Sequence, residues 1–426
     1  MSSSVVAMPT YEAYKESGVE WFGDIPEHWE IKALKHIAYM ESGSTIFPEQ
    51  FTEEGFPVFG GNGFRGYTSR YTNNGTHVLI GRQGALCGNV NYAEGKFFAS
   101  EHAIVVYPLN GENVFWLGEA IRIADFNRLS QSAAQPGIAV NVVKNVLFPY
   151  PPIAEQTAIA AFLDRKTAQI DQAVAIKGQQ IALLKERKQI LIQNAVTRGL
   201  NTDAPMRDSG VEWIGEIPAH WDVKRLKYVL DERNERSKTG EEPLFMVSQV
   251  HGLVVRSEYH DKAEVAQSNV DNKVVYQNDL VFNKLKAHLG VFFKSNVEFE
   301  GLVSPDYAVY KAKAHIEDLK YLEHLFRHPA YIGQFIIRAT GIVEGLIRLY
   351  TGELFDIPIP VPPSKEQTNI LLHIDIESSK IDKAIDLQQQ QIDRLKEYKA
   401  TLINSAVTGK IKVPGVEEHT HDAEVA

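Results

Sequence analysis

The 426-residue chain contains one stretch written twice: SGVEWFGDIPEHW at Ser17–Trp29 returns as SGVEWIGEIPAHW at Ser209–Trp221. Over Ser17–Ile37 and Ser209–Val229, offset by 192 positions, 13 of 21 residues are identical, both tryptophans and the Ile-Pro pair among them. A second block, PPIAEQTAIAAFLDRKTAQIDQAV from Pro151, recurs from Pro362 as PPSKEQTNILLHIDIESSKIDKAI at an offset of 211. Two such pairs make the chain a tandem duplication whose second intervening stretch is longer by 211 − 192 = 19 residues. Whatever fold the first half takes, the second half must take as well.

The second block reads as a long helix in both copies. Pro-Pro sets the helix start, and the Glu and Gln just inside it suit the positive end of a helix. Apolar residues then recur at spacings of four and three: Leu163, Ile170, Val174, Ile181, Leu184 and Leu191 in one copy, Ile374, Ile381, Ile385, Ile392, Leu395 and Leu402 in the other. This heptad seam predicts two long helices that pack on each other. Polar residues interrupt both seams at matching places, Lys177 with Gln388 and Lys188 with Lys399.

Between the repeated blocks lie Ala38–Tyr150 and Leu230–Val361, which share an order of strand and turn signals without sharing sequence. THVLIGRQGALCGNV from Thr76 corresponds to NDLVFNKLKAHLGVF from Asn278, and FFASEHAIVVY from Phe97 to GLVSPDYAVY from Gly301. Short β-rich runs broken by Gly and Asn, followed by helical stretches such as LKYLEHLFRH, predict an α+β globule in each half. A shared scaffold therefore carries two different surfaces.

Composition narrows the chemistry. Cys87 is the only cysteine, which excludes an intramolecular disulfide and a CxxC metal site. The N-terminus shows no basic segment followed by an apolar one, and no run of 18 apolar residues occurs, so a cytoplasmic, non-membrane protein is expected. A net charge of −10 argues against wrapping nucleic acid unaided, yet Gly60–Phe97 holds Arg65, Arg70, Arg82 and Lys96 against Glu94 alone.

Several strings imitate enzyme motifs. FGGNG at Phe59–Gly63 and the GxGxxG pattern of Gly61, Gly63 and Gly66 are followed by turn residues, where a cofactor loop needs a helix N-terminus. YPPI at Tyr150 lacks the polar first residue and aromatic last residue with which an adenine methyltransferase holds its base. Pro305-Asp306 with Asp318 and Lys320 could pass for a nuclease site, but the first copy has Glu101-His102 at the place of Pro305-Asp306 and no matching acid and lysine downstream. His28 and His220, beside Trp at one repeat position, read as packing residues. No catalytic or metal-binding residue is expected.

The repeated openings, the PPxxEQ helix starts and the helix ends QNAVTRG and NSAVTGK together resemble the specificity subunit of a type I restriction-modification system, over nearly the whole chain except its acidic tail. With the periodicities, the resemblance implies an α+β fold: target recognition domains at 1–150 and 201–361, and conserved long helices at 151–200 and 362–412. The helices would pack as an antiparallel coiled coil with an internal pseudo-twofold repeat, and an acidic disordered tail would occupy 413–426. Each domain would read one half of an asymmetric bipartite site in double-stranded DNA, while the helix pair sets the spacer and docks two modification (methyltransferase) subunits. Restriction (nuclease/translocase) subunits would join them. The chain itself would be non-catalytic and bind no cofactor, with S-adenosylmethionine, ATP and Mg belonging to the partner subunits. The alternative is a fused or stand-alone DNA adenine methyltransferase.

Candidate DNA-binding residues follow from side-chain chemistry: Asn62, Arg65, Arg70, Arg82 and Gln83 in the first domain, Lys284, Lys286 and His288 in the second. Arg and Lys suit guanine, Asn and Gln suit adenine, and a phosphate contact is open to each cation. Lys284 and Lys286 both qualify as the counterpart of Arg82. SQSAAQPGIAV from Ser130 is a further candidate loop. Trp21 and Trp29, with Trp213 and Trp221, are expected where each domain meets the helices, with partner binding by exposed tryptophans as the rival.

Overall fold

The computed structural model describes residues 8–84, 86–130, 137–248, 251–259, 268–341 and 348–416. They form two compact units, Met1–Gly178 with Gln389–Ala426, and Gln179–Gln388. Each unit holds one α+β part and a segment of each long helix.

In the first unit a sheet runs in the order Ala38–Ser42, Ala103–Pro108, His77–Gly81, Val90–Ala93, with every pair antiparallel. Its central strand is apolar at successive positions because both faces are covered. Val78 and Ile80 point to a core that includes Trp116 and Leu117 of the helix Val114–Ile123, while Leu79 faces Phe97 and Val105. A second sheet, Gly63–Thr68, Phe56–Gly60, Lys96–Ala99 and Asn73–Asn74, contains a parallel pairing, Phe98 with Val58.

The second unit repeats the main sheet as Leu230–Glu232, Tyr307–Ala312, Leu280–Asn283, Phe292–Lys294. Register fixes the correspondence: Ala103 opposes Gly81 and Tyr307 opposes Asn283. Arg82 and Lys284 therefore occupy the same place, one residue beyond the central strand. A backbone hydrogen bond agrees, Ile138 N to Arg82 O at 2.9 Å and Leu349 N to Lys284 O at 3.1 Å, with 138 + 211 = 349.

The long helices are Ile153–Arg198, 46 residues, and Ser364–Val407, 44 residues. In the first unit Lys399 Nζ lies 2.6 and 2.7 Å from the Asp171 carboxylate, and Lys177 donates to Gln391. One number rises as the other falls, so these segments are antiparallel. In the second unit Lys188 Nζ lies 2.7 and 2.8 Å from Asp382, and Gly199 approaches Glu366, again antiparallel. Three of the polar interruptions, Lys177, Lys188 and Lys399, thus find partners on the other helix, and the two ion pairs are one pair written twice, since 171 + 211 = 382 and 188 + 211 = 399. An exposed pair of this kind contributes only about 0.2–1 kcal/mol. Its larger effect is on register, because a slipped seam would set each lysine against apolar neighbours.

The repeated opening sequence closes the joint between α+β part and helix in each unit. Glu155 of PPxxEQ accepts from the Tyr11 hydroxyl and lies 2.9 Å from His28 Nε2; Glu366 lies 2.7 Å from His220 Nε2 and accepts from Trp221 Nε1 at 3.0 Å. Buried Gln156 donates to Pro151 O at 3.0 Å and accepts from Asn113 N at 3.1 Å, and Gln367 repeats this with Pro362 O at 2.9 Å and Glu317 N at 3.1 Å. Trp29 and Trp221 are buried in the joints, where a Cβ on Gly409 or Gly199 would lie 3.1 Å from the indole ring. Both glycines also hold left-handed φ, +76° and +74°, so the Gly after each Ala-Val-Thr end is demanded twice over. Trp21 and Trp213 pack instead on Phe148 and Tyr331 of the α+β parts. The burial of Trp29 and Trp221 favours packing over the rival reading in which they grip a partner.

Val413 is buried and Val416 packs beside it in the first unit, so packed chain runs into the stretch that composition assigns to the tail. Residues 417–426 lie outside the described residues. Among the described residues no helix is long and apolar enough to cross a membrane.

Candidate nucleic-acid interface

Glycine pairs bring the first unit's loops together. A Cβ on Gly61 would lie 2.9 Å from His102 O and 3.2 Å from Gly81 Cα, and one on Gly81 would lie 2.6 Å from both Gly61 O and Leu86 O. The FGGNG and IGRQG strings are therefore sites of backbone contact, and the strand Gly63–Thr68 follows where a cofactor loop would need a helix. Beside this contact opens a hollow of about 370 Å³ lined by Asn62, Phe64, Arg65, Gln83, Leu86 and His102. Sequence reading anticipated three of these side chains; it missed His102, Phe64 and Leu86.

The polar groups in the hollow are only partly engaged. Gln83 Oε1 lies 3.1 Å from His102 Nδ1, whose Nε2 is 3.2 Å from Glu101. Arg65 Nη1 reaches Ser100 Oγ at 3.5 Å, the long limit of a hydrogen bond. Asn62 is exposed, and its side chain forms no hydrogen bond among the described residues. Arg82 is half-buried, held by its backbone through Arg82 N to His102 O at 2.9 Å, while its guanidinium has no hydrogen bond or ion pair among the described residues. Arg70 stands apart from the hollow, 5.1 Å above the Phe98 ring with Nη2 3.4 Å from Gln50 Oε1.

In the second unit Lys284 is half-buried and Lys286 exposed, and neither ammonium has a hydrogen bond or ion pair among the described residues. They lie on the short turn Lys284–Leu289, which Lys286 breaks at φ −123°, ψ 33°. The side chain of His288 lies outside the described residues. Lys273, buried against Glu232 at 3.4 Å, is held below the usual lysine range by burial and then by the charge of Lys284, opposed by Glu232. The loop from Ser130 is anchored at Gly137, which bridges to Gln83, while 131–136 lie outside the described residues.

A family model described as the type I restriction modification DNA specificity domain matches residues 26–185. The specificity subunit of type I restriction enzyme EcoprrI from Escherichia coli is 40% identical over 139 residues, 32% of this chain and 35% of that protein. The specificity subunit of type I restriction enzyme MjaVIII from Methanocaldococcus jannaschii is 21% identical over 351 residues, 80% of this chain and 77% of that protein. The HsdS subunit from Thermoanaerobacter tengcongensis superposes with TM-score 0.54 at 14% identity, over 93% of this chain and all of that one. A chain from a type I restriction-modification system, solved for its assembly and conformational transition, gives 0.65 at 15% identity over 90% of this chain and 98% of that one. Over residues 26–185 the chain matches the type I restriction modification DNA specificity domain, and its relatives are similar to it as specificity subunits of type I restriction enzymes.

The chain spans about a third of EcoprrI's subunit in that match and about three quarters of MjaVIII's. The acids that could pass for a nuclease are committed elsewhere in this chain: Asp306 lies 3.2 Å from Arg348 Nη2, and Asp318 lies 2.8 Å from Lys294 Nζ. The relatives reported above are named as specificity subunits, and the methyltransferase alternative finds no support among them.

Proposed function

We propose that this chain reads DNA for a type I restriction-modification complex. The α+β part of each unit, within 1–150 and 201–361, takes one half of a bipartite asymmetric target, and the helix pair sets the spacer and docks two modification subunits, with restriction subunits recruited beside them. S-adenosylmethionine, ATP and Mg act on those partner subunits, in the cytoplasm. The observation that carries the reading is the pair Arg82 and Lys284: a duplicated scaffold delivers, at one position, two different cationic side chains that have no internal hydrogen bond or ion pair among the described residues. Asn62, Arg65, Gln83 and Lys286 stand on the adjoining loops as further base or phosphate contacts, with Arg70 and His288 as outlying ones.

The test is modularity. Exchanging Ala38–Tyr150 for the matching stretch of a relative and sequencing the methylome of the host should change one half of the methylated motif and leave the other intact. Both halves changing together, or neither, would refute independent reading. Incubating the purified chain alone with labelled S-adenosylmethionine and DNA should give no methyl transfer, whereas transfer would establish the methyltransferase reading instead.

A further inference from the structure

The hollow of the first unit has an apolar wall that the polar base-reading chemistry leaves unused. Phe64 and Leu86 line it at 55% and 48% exposure, beside Asn62, Arg65 and Gln83. Phe64 is steadied by Tyr67 at 5.1 Å and Phe59 at 6.3 Å, and Leu86 sits on the turn whose carbonyl contacts Gly81. An apolar group suits the two exposed apolar side chains at the mouth of this otherwise polar hollow better than a polar one, because a polar base edge pressed on them would lose its hydrogen bonds to water. In the major groove the four bases offer one such group, the C5 methyl of thymine. On the same base pair adenine N7 and N6 are presented, the groups an Asn or Gln amide takes in pairs. Asn62 and Gln83 stand next to the apolar wall.

We infer that Phe64 and Leu86 form a thymine-methyl contact, so that the half-site read by the first domain contains a thymine recognised through its methyl group. The inference rests on the proposed reading of DNA by this domain and adds to it the identity of one base and the atoms that select it. Arg65, Arg70, Arg82 and Lys96, set against Glu94 and Glu101 in this region, supply the positive field that holds a duplex there.

The experiment uses the full chain assembled with its modification subunits, and duplexes carrying the methylated motif with each thymine in turn replaced by deoxyuridine. Uracil lacks only the methyl, so pairing is untouched. One thymine, in the half-site altered by the Ala38–Tyr150 exchange, should show about fourfold weaker binding as uracil. The Phe64→Ala, Leu86→Ala double variant should bind thymine and uracil duplexes equally while still rejecting other base changes in both half-sites. Phe64→Leu should retain discrimination, which separates loss of the contact from loss of folding. A first half-site without thymine, a uracil series with no effect, or discrimination that survives in the double variant would each overturn the inference. An apolar wedge in the minor groove would give the second of these results. If the domain exchange itself left both half-sites unchanged, the underlying assignment of this domain to DNA would fail instead.

Discussion

Acidification should destabilise the second unit through one histidine. His324 lies on the helix Lys320–Leu325 at 9% exposure, and its Nε2 is buried with no hydrogen-bond partner. Burial, followed by the charges of Lys320, Arg327 and Lys188, pushes its imidazole down to about 3, against a weaker opposing pull from Asp318. In the unfolded chain histidine titrates near 6.5. A base depressed by folding contributes stability that is complete above the unfolded value and is lost as pH falls from about 6.5 toward 3, because only the unfolded chain takes up the proton there. At pH 5 the loss is RT ln(1 + 10^1.5), about 2 kcal/mol relative to pH 8. A folded value one unit higher leaves that figure almost unchanged, since pH 5 still lies above it. The assay is urea unfolding of the full chain at pH 8 and pH 5, wild type beside His324→Leu, followed through hydrogen exchange of the Leu280–Asn283 strand. Leucine removes the imidazole without leaving an unpaired donor, and titration of the other histidines cancels in the difference. The wild type should lose about 2 kcal/mol more than the variant between the two pH values. Equal losses would refute a buried neutral imidazole on this helix.

Arg82→Ala should relax one base of one half-site by roughly 1–3 kcal/mol of discrimination in binding assays with the assembled complex; uniform weakening with a shallower salt slope would mark Arg82 as a phosphate contact. Gln156→Ala orphans Asn113 N and Pro151 O in the buried joint and should lower the stability of the first unit by about 2–5 kcal/mol, read from its urea midpoint; a change below about 0.5 kcal/mol would mean that the clamp does not hold the helix start. Inserting four residues between Thr167 and Lys188 adds about 6 Å of helix and should lengthen the methylated motif's spacer by one or two base pairs while both half-sites keep their sequences. An active system with an unchanged spacer would show that the helices do not set the distance.

The duplication, the α+β class and the two helix seams were legible in the sequence because each is a periodic or repeated signal. Leu163, Ile170 and Leu402 are buried where heptad spacing puts them, and Lys188 and Lys399 interrupt the seams at matching positions. Sequence could not give the partners of those lysines, since Asp382 and Asp171 come from the other helix, roughly two hundred residues away. The same limit applies to the PPxxEQ string. A helix-start preference accounts for its Glu and Gln as local residues, whereas their contacts run to His28, Tyr11 and Asn113, and the signal available in advance was only that both copies keep EQ and IPxHW together.

In the candidate site the division is sharper. Side-chain chemistry alone picked out Asn62, Arg65 and Gln83, and the hollow gathers all three; it also picked out Arg70, which stands elsewhere on the surface. Phe64, Leu86 and His102 carried no polar motif to find them by. The choice of Lys284 over Lys286 as the counterpart of Arg82 rests on strand register, Tyr307 opposite Asn283, because side-chain chemistry alone left both lysines open. What the sequence determined by itself is what depends on neighbours along the chain: seams, glycine turns and the repeated scaffold. The tertiary structure decided what depends on groups brought from distant positions, because Gly61 and Gly81 can touch only after two strands have paired with their neighbours, and only that contact makes the hollow.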